Sequence, residues 1–215
     1  MGNNCLQNLA DVGLNSLYAN DCSYLAKMAK ELGKPADAKE LDERHRKYAT
    51  VTSSLWDEKS GIFLNKYVDT LSFSKRLSPT LFYPMLAGIA SPSQADRMFK
   101  EHFYNPKEFY GDVIMPSCSR NDKSFDIQYW RGSEWPPLNF LVYLGLRNYN
   151  KPAPKELAKK SYELFISAWT KDQCVYENIN ALKGVANRAD QLNCDPFYHW
   201  GALMGIMQFM EEEKF

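Results

Sequence analysis

Apolar residues recur at spacings of three and four along most of the chain. That is the period of one helix face, not the two-residue alternation of a strand. The first run is Leu9, Val12, Leu14, Leu17, Leu25, Met28, Ala29 and Leu32, and Gly33 with Pro35 ends it. A second helix is predicted over 35–56, charged early and apolar late. The turn Asp57-Glu58-Lys59-Ser60-Gly61 follows, and Ile62-Phe63-Leu64-Asn65 reads as a short extended piece. Ser78-Pro79 and Ser91-Pro92 each set a capping hydroxyl before a proline at the first helical position. They predict helices ending near residues 90 and 103. Further helices are predicted over 137–147, from the Pro152/Pro154 pair to 169, and over 200–212. Two long segments, 104–134 and 170–199, carry no period. Loops of that length inside a compact domain usually serve a function. The pattern therefore predicts a single all-α unit over 1–215, about seven helices in hairpins, with the long loops gathered at one end.

Charge and composition remove several function classes. The 26 Lys and Arg balance 26 Asp and Glu, so the basic footprint of a nucleic-acid binder is missing. No stretch approaches the roughly 20 apolar residues that span a bilayer. Neither nucleic acid nor a membrane is an expected partner. The five cysteines, at 5, 22, 118, 174 and 194, show no C-x-x-C spacing, and His45, His102 and His199 are scattered. No disulfide framework, metal site or Gly-rich phosphate loop is indicated, so neither metal nor cofactor is expected. Met1-Gly2-Asn3-Asn4-Cys5 has no basic stretch followed by an apolar one, and the compartment stays open. The 13 Tyr, 12 Phe and 5 Trp are the unusual feature. Aromatics in such number fill a large core, line a sugar-type cleft, or do both.

Three segments in or beside the long loops carry candidate chemistry. Tyr129-Trp130-Arg131-Gly132-Ser133-Glu134-Trp135 combines an aromatic wall with a planar fork of donors. Indoles stack on the C–H faces of sugars, and Arg donates to hydroxyls or a carboxylate. The same tryptophans also suit a core at a helix start. Val175-Tyr176-Glu177-Asn178-Ile179-Asn180 sets a carboxylate between an aromatic and amides that could orient it or a water. A single loop Glu is more often just solvated. Asp195-Pro196-Phe197-Tyr198-His199-Trp200 precedes the last helix. There Asp195 suits a cap or a hydroxyl acceptor, and His199 a substrate contact or an internal hydrogen bond.

Taken together these segments resemble glycoside hydrolase family sixty-three, which includes processing α-glucosidase I and mannosylglycerate hydrolase and is related to trehalases. YWRGSEWPPLNFLVYLGL is similar to the family's Tyr-Trp-Arg-Gly-x-x-Trp-x-x-x-Asn-(Phe/Tyr)-Leu signature. CVYENIN resembles its Glu-Asn-Tyr-Asn segment, and CDPFYHWGALMGI its closing helix. ADVGLNSLYANDCSYLAKMAKELG, LWDEKSGIF and RLSPTLFYPMLAGIAS fit in the family's order, so nearly the whole chain is covered. The resemblance implies an (α/α)6 toroid and inverting hydrolysis of an α-glycosidic bond in a neutral oligosaccharide or glycoside. It implies Glu177 as general base, with Tyr129, Trp130, Arg131 and Trp135 lining a sugar subsite and Tyr198, His199 and Trp200 near it.

The family's general acid is an Asp in a Gly-(Met/Trp)-Asp segment ahead of the helix that here begins near Leu9, and this sequence has no such segment. With about seven helices against the six hairpins of a toroid, the chain reads as the C-terminal half of a catalytic domain. Its terminal apolar faces then predict self-association or pairing with an acid-bearing half. Departures from the family pattern are Glu134 in place of an aliphatic residue, Ile179 in place of Tyr, and Ala181-Leu182-Lys183-Gly184-Val185 in place of a Gly-rich loop. A non-catalytic sugar-binding remnant is the competing reading. An (α/α) polysaccharide lyase is the weakest, because no Tyr/His pair adjoins an Arg-rich cleft.

Overall fold

A computed structural model of the chain describes residues 8–126, 129–149, 152–182 and 194–213. Seven α-helices are formed by the described residues: α1 (Val12–Glu31), α2 (Pro35–Ser53), α3 (Tyr83–Leu86), α4 (Pro92–Arg97), α5 (Pro136–Leu146), α6 (Ala153–Asp172) and α7 (Leu203–Glu212). Helices α1, α3, α5 and α7 pack in succession as one row, α2 lies along α1, and α6 packs on α5 and α7. The result is an array of helical hairpins whose main core joins Tyr83 and Met85 of α3 and Val142, Tyr143 and Leu146 of α5 to Ile62, Phe63, Phe99, Phe103 and Phe109. None of these helices is long and apolar enough to cross a membrane.

The predicted helices are all present, and the differences lie at their ends. Asp11 caps α1 by accepting the Leu14 N–H at 2.8 Å, and Gly33 at φ +67° provides the left-handed turn after it. The stretch from Ser78 is shorter than its pattern implies. A 3-10 turn over Pro79–Phe82 leads into the four residues of α3, and the chain turns at Gly88, φ +67°. The second proline start is a full capping box, Ser91 with Gln94, and α4 loosens into a π-helical turn over Met98–Phe103. The extended piece is a two-residue antiparallel hairpin, Trp56–Asp57 with Ile62–Phe63. Its turn is tied down by His102, whose ring nitrogens sit 2.7 Å from the Ser60 carbonyl and 2.7 Å from Glu108 Oε2.

Helix α1 corrects the hydrophobic pattern that predicted it. The buried face is Val12, Ser16, Ala19, Cys22, Ala26 and Ala29, a stripe of mostly small residues against which neighbouring helices can pack closely. Leu14, Leu25, Met28 and Leu32 face outward, Leu32 at 72% exposure. At the far end of the row Tyr162, Ile166 and Trp169 of α6 and Ile206 and Phe209 of α7 are also exposed. Among the described residues, an apolar surface is thus exposed at each end of the row.

Candidate active site

The two long loops meet each other instead of running separately over the surface. Pro116 pairs with Glu134, and Glu134 pairs in turn with Ile179. Ser117 N–H donates to Ser133 O at 2.9 Å, Glu134 N–H to Ile179 O at 2.8 Å, and Ile179 N–H to Glu134 O at 3.0 Å. The segment containing Glu177 is bonded on its other side as well: Glu177 N–H donates to Asp195 O at 3.0 Å, and Tyr198 N–H to Val175 O at 2.8 Å. A short ladder therefore aligns all three motifs found in the sequence.

Glu177 is half-buried in this ladder. Its carbonyl accepts the Trp200 indole N–H at 2.8 Å, so the start of the closing helix is anchored to the backbone of Glu177. Gly201 allows the approach, because a Cβ there would lie 2.5 Å from Tyr176 O. Among the described residues the Glu177 carboxylate receives one long contact, from Asp195 N–H at 3.4 Å. It opens into a cleft of about 480 Å3 lined by Tyr129, Glu177, Cys194, Asp195 and Tyr198. That volume suits a small ligand. Burial holds the Cys194 thiol above its ordinary value, so it stays protonated at neutral pH.

The aromatic wall stands beside the cleft. Tyr129–Arg131 form a 3-10 turn, entered at Tyr129 in the left-handed region, φ +53°. Gly132 closes the turn, where a Cβ would collide with the Asp126 carbonyl. Trp130 is 42% exposed and stacks on Trp135 at 3.5 Å and 11° between planes. The Arg131 guanidinium pairs with Asp126 at 2.9 Å. Trp130 and Arg131 also line a second cavity of about 240 Å3 together with Asn65, Ser74, Arg76, Ser78, Ser117, Cys118 and Ser124.

The predicted residues thus divide. Tyr129, Glu177 and Tyr198 share one cleft, and Trp130 and Arg131 face its neighbour. Trp135 is a correction: it is fully buried, and it braces Trp130 from behind instead of presenting a face to a ligand. His199 is exposed and stacks on Tyr198 at 4.9 Å, while Trp200 is the backbone anchor. Apart from Arg131, the polar residues of the second cavity are not singled out by any motif. Arg76 and Ser78 fall in RLSPT, a segment that fits the family's order without marking its side chains as a site. Residues 183–185, part of the departure from the family's Gly-rich loop, lie outside the described residues. Among the described residues no group of three or more His, Cys, Asp or Glu is placed to hold a metal ion.

Comparison with known proteins places this geometry. Residues 2–200 match the family model of the mannosylglycerate hydrolase MGH1-like glycoside hydrolase domain. The chain is 33% identical over 158 residues to the cytosolic neutral trehalase of Kluyveromyces lactis, covering 66% of this chain and 20% of that protein. It is 30% identical over 115 residues to mannosylglycerate hydrolase MGH1 of Selaginella moellendorffii, covering 52% and 23%. Among solved structures, the family sixty-three mannosylglycerate hydrolase of Thermus thermophilus in complex with glucose superposes with a TM-score of 0.77 at 20% identity, over 94% of this chain and 45% of that one. Neutral trehalase Nth1 of Saccharomyces cerevisiae gives 0.70 at 20% identity, over 94% and 38%. The chain spans less than half the length of each of these relatives, and its helical arc is part of their (α/α)6 toroid. On the family model, which matches nearly the whole chain, this protein belongs to the MGH1-like, family sixty-three-related glycoside hydrolases.

Proposed function

We propose that this chain is the base-bearing part of an inverting α-glycoside hydrolase acting on a small neutral sugar substrate. The observation that carries the proposal is Glu177: a carboxylate opening into a sugar-sized cleft between two tyrosines, fixed by main-chain bonds on both sides and by Trp200. In this reading the Glu177 carboxylate takes a proton from a water, which attacks the anomeric carbon as the bond to the leaving oxygen breaks. A separate carboxylic acid protonates that oxygen from the opposite face, roughly 6.5–9.5 Å away. The other carboxylate of the cleft, Asp195, lies on the strand bonded to Glu177, and its Oδ1 already accepts the Phe197 N–H at 2.8 Å. It adjoins the base instead of facing it across a sugar. The acid in this reading comes from helices outside the 215 residues, in the part of the toroid that the longer relatives possess. The Thermus relatives are in complex with glucose and with Tris and D-glycerate, which supports a small carbohydrate as the ligand class.

Proton NMR of the anomeric region during hydrolysis of an α-glucoside tests the reading. With an acid-bearing half supplied, the first-formed sugar is expected to be the β-anomer. The α-anomer appearing first would overturn inversion, and full turnover by the chain alone would overturn the external acid. Sugar binding with no turnover under any complementation would favour the non-catalytic remnant.

The same reading assigns the exposed apolar faces of α1 and of α6 and α7 to the remaining helices of the ring. Exposed apolar patches of several hundred Å2 drive association. The chain alone is therefore expected to sediment as species heavier than its 24.8 kDa monomer at high concentration. A clean monomer in sedimentation velocity would count against the partial ring.

A further inference from the structure

Glu134 is the least expected residue in the site region. It stands in the middle of the ladder, bonded through its main chain to Ile179 and paired on its other side with Pro116. Its side chain is buried, with the residue 1% exposed. Oε1 accepts the Asn139 amide from α5 at 2.9 Å and the Ser161 hydroxyl from α6 at 3.3 Å, while Oε2 has no hydrogen-bond partner among the described residues. Asn139 in turn donates to Ile114 O at 3.0 Å, and its own Oδ1 is likewise unpartnered there. Among the described residues, the groups bonded to Glu134 or to its amide partner Asn139, from α5, α6 and the two loops, are Asn139, Ser161, Ile114, Pro116 and Ile179, all uncharged. Burial pushes the carboxyl up to about 7, and the two hydrogen bonds offset that only in part.

We propose that Glu134 is a positioning residue held as a neutral acid, and that its ionisation parts the ladder that aligns the Trp130 wall with Glu177. A charge at this place finds two neutral donors and no cation among the described residues. Water must then reach Oε2, and the least costly way to admit it is to open the pairing between residues 134 and 179. An aliphatic residue at this position would hold the ladder closed at every pH. The functional meaning of this switch rests on the reading of Glu177 and Trp130 as site residues, but the coupling can be measured without any activity.

The readout is the near-ultraviolet circular dichroism of the stacked Trp130–Trp135 pair in the full chain, titrated between about pH 5 and pH 9. The expected result is a loss of the tryptophan signal centred near pH 7, with the helical signal unchanged and the transition absent in Glu134→Gln. Stability is expected to follow with a definite sign. An acid whose folded-state value is raised stabilises fully below its unfolded value and loses that contribution as pH rises through the folded one. The unfolding constant of the native protein, relative to Glu134→Gln, should therefore rise by about two powers of ten between about pH 4.5 and pH 7. If Glu134→Gln does not fold, Glu134→Leu serves as the comparison. A native protein with no tryptophan transition in this range, or a variant that keeps the transition, would overturn the proposal. Either result would leave the proposal for Glu177 standing.

Discussion

Glu177→Gln is expected to lower the turnover of an α-glycoside by about 10²–10⁴-fold, with KM and unfolding midpoint nearly unchanged. The effect on rate follows from the chemistry: an amide cannot accept the proton of the attacking water. The lack of effect on stability follows from the geometry. Glu177 is held through its backbone, by the bond to Asp195 O and by the Trp200 indole, and neither bond uses the carboxylate. The contact to Oε2, from Asp195 N–H, can be accepted equally by the amide oxygen of Gln. The measurement is steady-state kinetics on the completed catalytic assembly, beside urea unfolding of the same variants. A variant that lost its rate together with several kcal/mol of stability would assign Glu177 to structure, and a rate within tenfold of the native protein would remove it from the chemistry.

The helices are legible in the sequence because caps, prolines and glycines mark their ends locally. Asp11, Gly33, and Ser91 with Gln94 each act within one turn of chain. The orientation of α1 is not legible in the same way. Its large apolar residues suggest the buried face, yet close helix packing selects Ala, Ser and Cys, and the large residues point outward where nothing among the described residues covers them. A hydrophobic period shows that a helix is amphipathic, but on a helix with two apolar faces it does not show which face an arc of hairpins uses first.

The site divides along the same line. Each motif is readable as a local run of residues, and Glu177, Tyr129 and Tyr198 do meet at one cleft. Their juxtaposition depends on pairings between residues 116 and 134 and between 134 and 179. These are single bridges across long stretches of chain, too short to leave a strand period in the sequence. Arg76, Ser78, Cys118 and Ser124 reach the second cavity through such long-range contacts, so no spacing announces them. Glu134 is visible in the sequence only as a departure from a family pattern. Its burial, the property that gives it consequence, belongs to the packing of α5 and α6 over the ladder.

The two stacked tryptophans give the second large prediction, because one sequence motif is expected to yield two different phenotypes. Trp135→Ala should cost about 3–5 kcal/mol of stability. The side chain is fully buried, its indole N–H donates to Tyr129 O at 3.1 Å, and its ring meets Trp130 face to face and Tyr129 and Trp200 edge-on. Removing it leaves a cavity behind the wall and frees the turn that holds Tyr129 at positive φ, so ligand binding should fall with stability. Trp135→Phe keeps a ring in the stack but loses the hydrogen bond, and should cost clearly less. Trp130→Ala removes a ring that is 42% exposed and should cost clearly less stability than Trp135→Ala, while weakening sugar binding. Urea midpoints for the three variants, set beside sugar affinity from calorimetry, decide the matter. Equal stability losses for Trp130→Ala and Trp135→Ala would mean that the two rings share one environment, and the division of this motif into an outer binding face and an inner brace would then be wrong.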